Sequence, residues 1–236
     1  MRYFLLLLLV ALLIFLLYTV FTTSIIRMMN IHITKKLSVQ NGILLTFDDG
    51  PHPDYTPQLL DLLKKNQVKA TFFVVGELVE KHPEIIHRMH KEGHTIGIHH
   101  FRHVSSWLLN PWQLKKQLSS TEKVISKITK EPVAYYRPPW GHFNLATLSL
   151  SRKYDIIMWS HIFKDWKIDT HQLHLLEQQP AEGSILLLHD NGDTSGADRD
   201  APKEMVKYLS RFIAMCKINN TEFLSLKDLN LHKKRQ

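Results

Sequence analysis

The chain opens on an almost unbroken apolar run and then changes character. Residues 3–21 hold 18 apolar residues in 19, interrupted only by Thr19. About 20 helical residues cross a hydrocarbon core. A secretory signal has a shorter apolar core, about 7–15 residues, and ends at a small-residue cleavage site. Here no A-x-A pattern follows, only Thr22-Thr23-Ser24. The pattern predicts an uncleaved transmembrane signal-anchor over 1–24 and a linker over 25–40. Arg2 lies on one side of the run and Arg27, Lys35 and Lys36 on the other, so the distribution of basic residues leaves orientation open.

From residue 43 onward, short apolar runs alternate with amphipathic stretches. Segments 43–47, 70–75, 95–98, 133–136, 156–159, 185–188 and 223–226 are short and bounded by polar, Gly or Pro residues, and several are rich in β-branched or aromatic types, which predicts strands. Helices are expected at 56–66, 83–92, 111–129, 144–153, 170–178 and 201–215. Pro57, Pro83, Pro111 and Pro202 fall near helix starts, where the missing N–H costs nothing, and Gly93 suits a C-cap. Such βα alternation implies a parallel sheet covered by helices. The chain is short for an eightfold barrel, so a shortened or irregular barrel is expected first and an open doubly wound sheet second.

Composition narrows the classes. With 236 residues, 30 Lys+Arg against 22 Asp+Glu and a single Cys216, the chain carries +8 formal charge and no internal disulfide. A second long apolar segment is missing, which excludes a multi-span transporter. The basic excess includes a tail over 231–236 with Lys233, Lys234 and Arg235. It forms no nucleic-acid-binding module, so no nucleic-acid partner is expected. A tethered basic domain instead suits an anionic surface.

In parallel α/β folds, catalytic groups sit at the carboxyl ends of strands, and the unusual polar residues fall there. T-F-D-D-G-P at 46–51 places Asp48 and Asp49 after the first strand, either as a working pair or as a solvated Asp-Gly turn. H-H-F-R-H at 99–103 spaces His99 and His103 four apart. With Asp49 they form a two-His, one-carboxylate set that suits a divalent metal with open positions. His90/His94, His87/His90 and His171/His174 read as helix-surface or helix-end pairs. R-P-P-W-G at 137–141 offers Arg137 to a rim carboxylate and stiffens the backbone after it; alone it would also pass for a Pro-rich surface loop. His189 closes the apolar run L-L-L-H-D, as a satisfied core residue or as a proton donor with Asp165 beside it.

Together these motifs resemble the polysaccharide deacetylase family, the NodB-homology domain or carbohydrate esterase family four. The resemblance runs from about residue 41 to 228, with the catalytic domain expected over 41–230. It implies a distorted (β/α)7-type barrel and a hydrolase that removes acetyl groups from N-acetylated sugars of peptidoglycan- or chitin-like polymers. The implied cofactor is a divalent metal, zinc first, held by Asp49, His99 and His103. By the same resemblance Asp48 is the general base, oriented by Arg137. His189 is the general acid, tuned by Asp165. The backbone of Trp140 serves the oxyanion, and Trp166 and Leu187 shape the acetyl pocket. His100, Val104, Trp140 and Ile162 depart from common family residues, leaving local shape and sugar preference open. Polymer substrates place the catalytic domain outside the cell membrane, with the single helix crossing it. An O-acetyl esterase and a non-catalytic glycan-binding protein are the alternatives.

Overall fold

The computed structural model of the chain describes residues 1–39, 41–150, 152–169, 178 and 180–229. The basic tail, the His171/His174 pair and nearly all of the expected helix 170–178 lie outside the described residues. Helix α1 (Arg2–Met29) passes through a π-helical turn at Leu17–Phe21. The elements that follow are β1 (Ile33–Thr34), β2 (Leu44–Asp48), α2 (Tyr55–Lys65), β3 (Thr71–Val74), α3 (Gly76–Lys81), α4 (Pro83–Lys91) and β4 (Thr95–Ile98). Then come α5 (Pro111–Thr129), β5 (Tyr135–Tyr136), α6 (Thr147–Leu150), β6 (Asp155–Ile157), β7 (His161–Ile162), β8 (Ile185–His189), α7 (Ala201–Ile218) and α8 (Leu226–Leu229).

Among the described residues the strands form one curled parallel sheet in the order β1-β6-β5-β4-β3-β2-β8-β7. The segment after β1 crosses to the start of β8, where the Leu37 N–H donates to Gly183 O at 2.8 Å. The result is the irregular barrel expected from the alternation, not the open sheet. A period of two divides each strand between two environments. Leu45 and Phe47 of β2 point outward into the helix layer with Leu59, Leu63, Phe72 and Phe212. Leu44 points inward with Phe73, Tyr135, Ile157 and Ile185. Thr46 and Asp48 share the Leu44 face, as Arg137 shares that of Tyr135 and His189 that of Ile185. Polar residues placed two apart thus rise from the apolar interior to the carboxyl rim. Gly97 is required inside: a Cβ there would stand 2.6 Å from the Phe73 ring.

Several sequence expectations are corrected. Residues 25–40 do not form a free linker. Ile26, Ile33 and Leu37 are buried, and β1 pairs in parallel with β6. Nor does the first helix stop at 24; it runs to Met29, and its distal half packs on the domain because Thr19, Thr22, Thr23 and Ile26 form a less apolar, buried stripe. The segment 223–226 makes only one parallel bridge, Ile43 to Phe223, and then turns into α8 as Ser225 Oγ accepts from the Lys227 N–H. Among the described residues of 144–153, Thr147–Leu150 is helical, and before it the Asn144 side chain donates to Ser106 O and Leu109 O and clasps the loop.

Candidate active site

Parallel register brings the expected rim residues together. Asp48 lies opposite His189 across the β2–β8 pair, while His99 follows β4 and Arg137 follows β5. They surround a cleft of about 230 Å³ lined by Asp48, Asp49, His99, His103, Trp140, Trp159, Ile162, Trp166, Leu187 and His189, and closed on one side by residues 194–197. Arg137 and Asp165 stand behind this lining, both buried.

Arg137 is the scaffold of the Asp48 side of the cleft. Its Nη1 donates to Asp48 Oδ1 at 2.8 Å and to Thr46 Oγ1 at 2.7 Å; its Nε and Nη2 donate to Ile157 O at 2.8 Å and Met158 O at 3.0 Å. The guanidinium also lies 4.2 Å from the centre of the Phe73 ring. Asp48 Oδ1 is therefore fixed from behind, while Oδ2 faces His99 Nε2 at 3.9 Å.

Asp49 takes the other direction from the same turn, at φ 76°. Backbones held in this left-handed region cost roughly 1–3 kcal/mol for most residues and cluster at working sites; His100 and Trp140 share it, at φ 65° and 56°. Asp49 Oδ1 lies 3.2 Å from His99 Nε2 and 3.1 Å from His103 Nε2. Burial works to raise the Asp49 carboxyl, but hydrogen bonds to His103 and His99 outweigh it and hold it well below its ordinary range. His99 Nδ1 is 2.8 Å from Arg137 O. A carbonyl only accepts, so Nδ1 donates to it, and Nε2 is the ring atom turned toward Asp49. One ligand atom from each of Asp49, His99 and His103 lies within 4.8 Å of the other two. This arrangement fits a divalent cation with open positions.

The opposite wall carries the His189–Asp165 pair. Asp165 Oδ1 lies 2.9 Å from His189 Nδ1, and its Oδ2 accepts from the His189 N–H at 2.6 Å. Burial alone would lower the His189 pKa, but the Asp165 carboxylate dominates and, with Asp49 and Asp48 pulling the same way, pushes it up to about 9. The imidazolium is thus the neutral-pH form, with Nε2 left for the cleft. Replacing Asp165 by Asn removes the largest pull, so the alkaline limb of the pH–rate profile moves to lower pH; a kcat/KM profile of Asp165→Asn checks this. By the same linkage, the stability His189 gains from Asp165 is full below about pH 6.5 and is lost as pH rises through about 9.

The departures noted in the sequence separate here. His100 does not enter the cleft: it is buried, its Nδ1 donates to Val104 O at 2.9 Å and its Nε2 accepts from Tyr136 OH at 2.8 Å. Burial pushes its pKa down to about 3, so it stays neutral. Phe163 is a core residue, whereas Ile162 lines the cleft. Asp190, also at the rim in sequence, turns back and accepts from Thr56 Oγ1 at 2.5 Å. Sequence reasoning missed Thr46, Trp159, Asn191 and Thr194. Thr194 Oγ1 donates to Asp49 Oδ2 at 2.9 Å and Asn191 Nδ2 donates to Asp49 O at 3.0 Å. The only signal for this pair was their place after the last rim strand, inside a run of ordinary turn residues. His94, in an expected helix-end pair, is buried, and its Nδ1 accepts from the Ala70 N–H.

Residues 36–159 match the family model described as polysaccharide deacetylase. The chain belongs to the polysaccharide deacetylase family. It is 38% identical over 178 residues to the peptidoglycan-N-acetylmuramic acid deacetylase PdaA of Bacillus subtilis, covering 71% of this chain and 67% of that one. It is 32% identical over 198 residues to a peptidoglycan-N-acetylglucosamine deacetylase of Bacillus cereus, covering 81% of this chain and 89% of that one. The solved structure of Bacillus subtilis PdaA, a family 4 carbohydrate esterase, superposes with a TM-score of 0.74 at 32% identity, over 90% of this chain and 89% of that one. A polysaccharide deacetylase of this family is a hydrolase, and the curled (β/α)7 barrel is the family fold.

Proposed function

We propose that this deacetylase removes N-acetyl groups from the glycan strands of peptidoglycan, with a divalent cation, zinc first, held by Asp49, His99 and His103. The observation that carries the reading is the opposition of two proton-handling groups, Asp48 and His189, across one cleft with a cation-fitting donor set beside them. The relatives' names support the polymer, and since one names muramic acid and the other glucosamine, both sugars enter the test.

Amide hydrolysis needs a proton acceptor for water, a donor for the oxyanion and a proton for the leaving nitrogen. When bound, the cation supplies Lewis acidity for the acetyl carbonyl and for water. Asp48 Oδ2 takes the water proton, its partner oxygen pinned by Arg137 so that the carboxylate does not rotate away. The Trp140 N–H, set by the Pro138-Pro139 turn, donates to the oxygen on which charge develops; one such donor is typically worth ~2.7–4 kcal/mol. His189 Nε2 gives its proton to nitrogen as the C–N bond breaks, and Asp165 stabilises the ring's charge. Water adds across the bond, giving acetate and a free amine on the sugar. Trp166, edge-on to His189 at 5.2 Å between ring centres, and Leu187 line the space offered to the acetyl methyl.

His99→Ala removes one of three ligands, and stoichiometric metal measured by atomic emission is expected to be lost with activity. Unchanged metal content would refute its ligand role. The reaction class is tested by incubating the full chain in detergent with N-acetylated peptidoglycan, chito-oligosaccharides and an O-acetylated glycan. New amines on glucosamine or muramic acid support the proposal; release from the O-acetyl ester alone replaces it with an esterase.

We place the catalytic domain outside the membrane, where that polymer lies, with α1 as the anchor. Its support is an apolar stretch of mean hydropathy 3.1 that is only 6% buried.

A further inference from the structure

The first helix is too firmly held by the catalytic domain to be a slack tether. The Leu145 N–H donates to Tyr18 O at 3.1 Å. Thr23 Oγ1 donates to Phe143 O at 2.8 Å and accepts from the Phe143 N–H at 2.9 Å and from Trp107 Nε1 at 2.8 Å. One turn further on, the Arg27 guanidinium lies 5.3 Å from the centre of the Trp159 ring, which lines the cleft. Domain contact therefore begins at Tyr18, inside the apolar run.

That position shortens the length left for lipid. Counted from the charged Arg2 to Leu17, the free helix is about 24 Å long at 1.5 Å per residue, whereas a hydrocarbon core is about 30 Å thick. The missing length has to be met by the domain itself. Where the helix leaves it, the domain presents exposed apolar side chains out of keeping with a solvated surface: Leu108 at 74%, Trp112 at 68% and Leu145 at 57%. Lys116 Nζ sits 5.4 Å from the centre of the Trp112 ring, and Lys115 beside it is exposed. Tryptophan with lysine at the end of an apolar helix is the composition of a membrane–water boundary.

We infer that the face carrying Leu108, Trp112 and Leu145 rests in the outer boundary of the lipid bilayer, so that the helix and the domain dock as one rigid body. This rests on reading α1 as a membrane span. It has a geometric consequence for the reaction. Leu145 and Trp140 belong to one loop, and from Trp140 the wall runs back through His142, stacked on Trp107 at 3.9 Å between ring centres, to Thr23. One wall of the cleft is thus tied through Trp107 and Thr23 to the helix that would cross the bilayer.

The test uses the full chain reconstituted in phosphatidylglycerol–phosphatidylethanolamine vesicles, with and without lipids brominated near the carbonyl end of the chains. Brominated lipid is expected to quench tryptophan emission, and Trp112→Phe, a conservative change at an exposed helix position, is expected to lose most of that quenching. No quenching in a chain that stays in vesicles after an alkaline carbonate wash overturns the docked face and leaves the span standing. Equal quenching in Trp112→Phe also overturns this face. Release of the chain by carbonate overturns the span reading and the inference with it.

Discussion

Replacing Asp48 by Asn is expected to lower kcat/KM about 10²–10⁴-fold, the range for losing a positioned general base, with the bound metal retained. The geometry separates the two effects. Asn is nearly isosteric, and its Oδ1 can still accept from Arg137 Nη1, while the guanidinium keeps Thr46 Oγ1 (from Nη1), Ile157 O (from Nε) and Met158 O (from Nη2) as acceptors. What is lost is the anionic oxygen facing the cleft. The proposed metal ligands are the adjacent Asp49 with His99 and His103, so metal content should hold. Steady-state kinetics alongside metal analysis checks both halves. Full activity in Asp48→Asn would remove Asp48 from the base role, and loss of metal would make it a ligand.

Arg137→Ala is expected to be the most destabilising single change at the site, about 3–5 kcal/mol, because it leaves a buried carboxylate without its ion-pair partner. Arg137 is fully buried and Asp48 nearly so. The guanidinium fills the barrel interior against Phe73, so the variant loses packing as well as charge. Urea unfolding of the two chains measures the difference. Arg137→Lys should recover little, since one ammonium cannot reproduce four donations spread over Thr46, Asp48, Ile157 and Met158. An Arg137→Ala protein as stable as the parent would mean that the pair contributes nothing to holding Asp48.

The contrast between these two residues shows what the sequence carried. Asp48, Asp49, His99, His103 and His189 were legible because strand ends in a parallel sheet converge, and the apolar runs located those ends to within a residue or two. Arg137 was legible as a rim residue facing a carboxylate, and by resemblance as the partner of Asp48, but its other three acceptors were not: they are backbone or hydroxyl oxygens that become neighbours only when the sheet curls. Thr46 looked like one more β-branched strand residue, although lying two before Asp48 it had to share its face. Thr194 and Asn191 stood in turn-forming sequence with no ligand spacing. The fold was read well where segments were long. Helix 111–129 is matched to the residue by α5, with Asn110 and Gln113 forming a capping box. It was read poorly where tertiary contacts decide, as in the two-residue strands β1 and β7. The linker reading missed these contacts for the same reason: 25–39 is short and mixed in polarity, and only packing against β6 and the β8 entry ties Ile33–Thr34 and Lys36 to the sheet.

On the proposed function, one cation-fitting cluster and two opposed proton-handling groups release acetate from an N-acetylated wall glycan. Acetate release from purified peptidoglycan by the full chain in detergent, with and without chelator, addresses it most directly. Acetate is expected to be released, with chelator abolishing the release and added zinc restoring it. A folded, metal-loaded chain that frees no acetate from peptidoglycan or chito-oligosaccharides would contradict it.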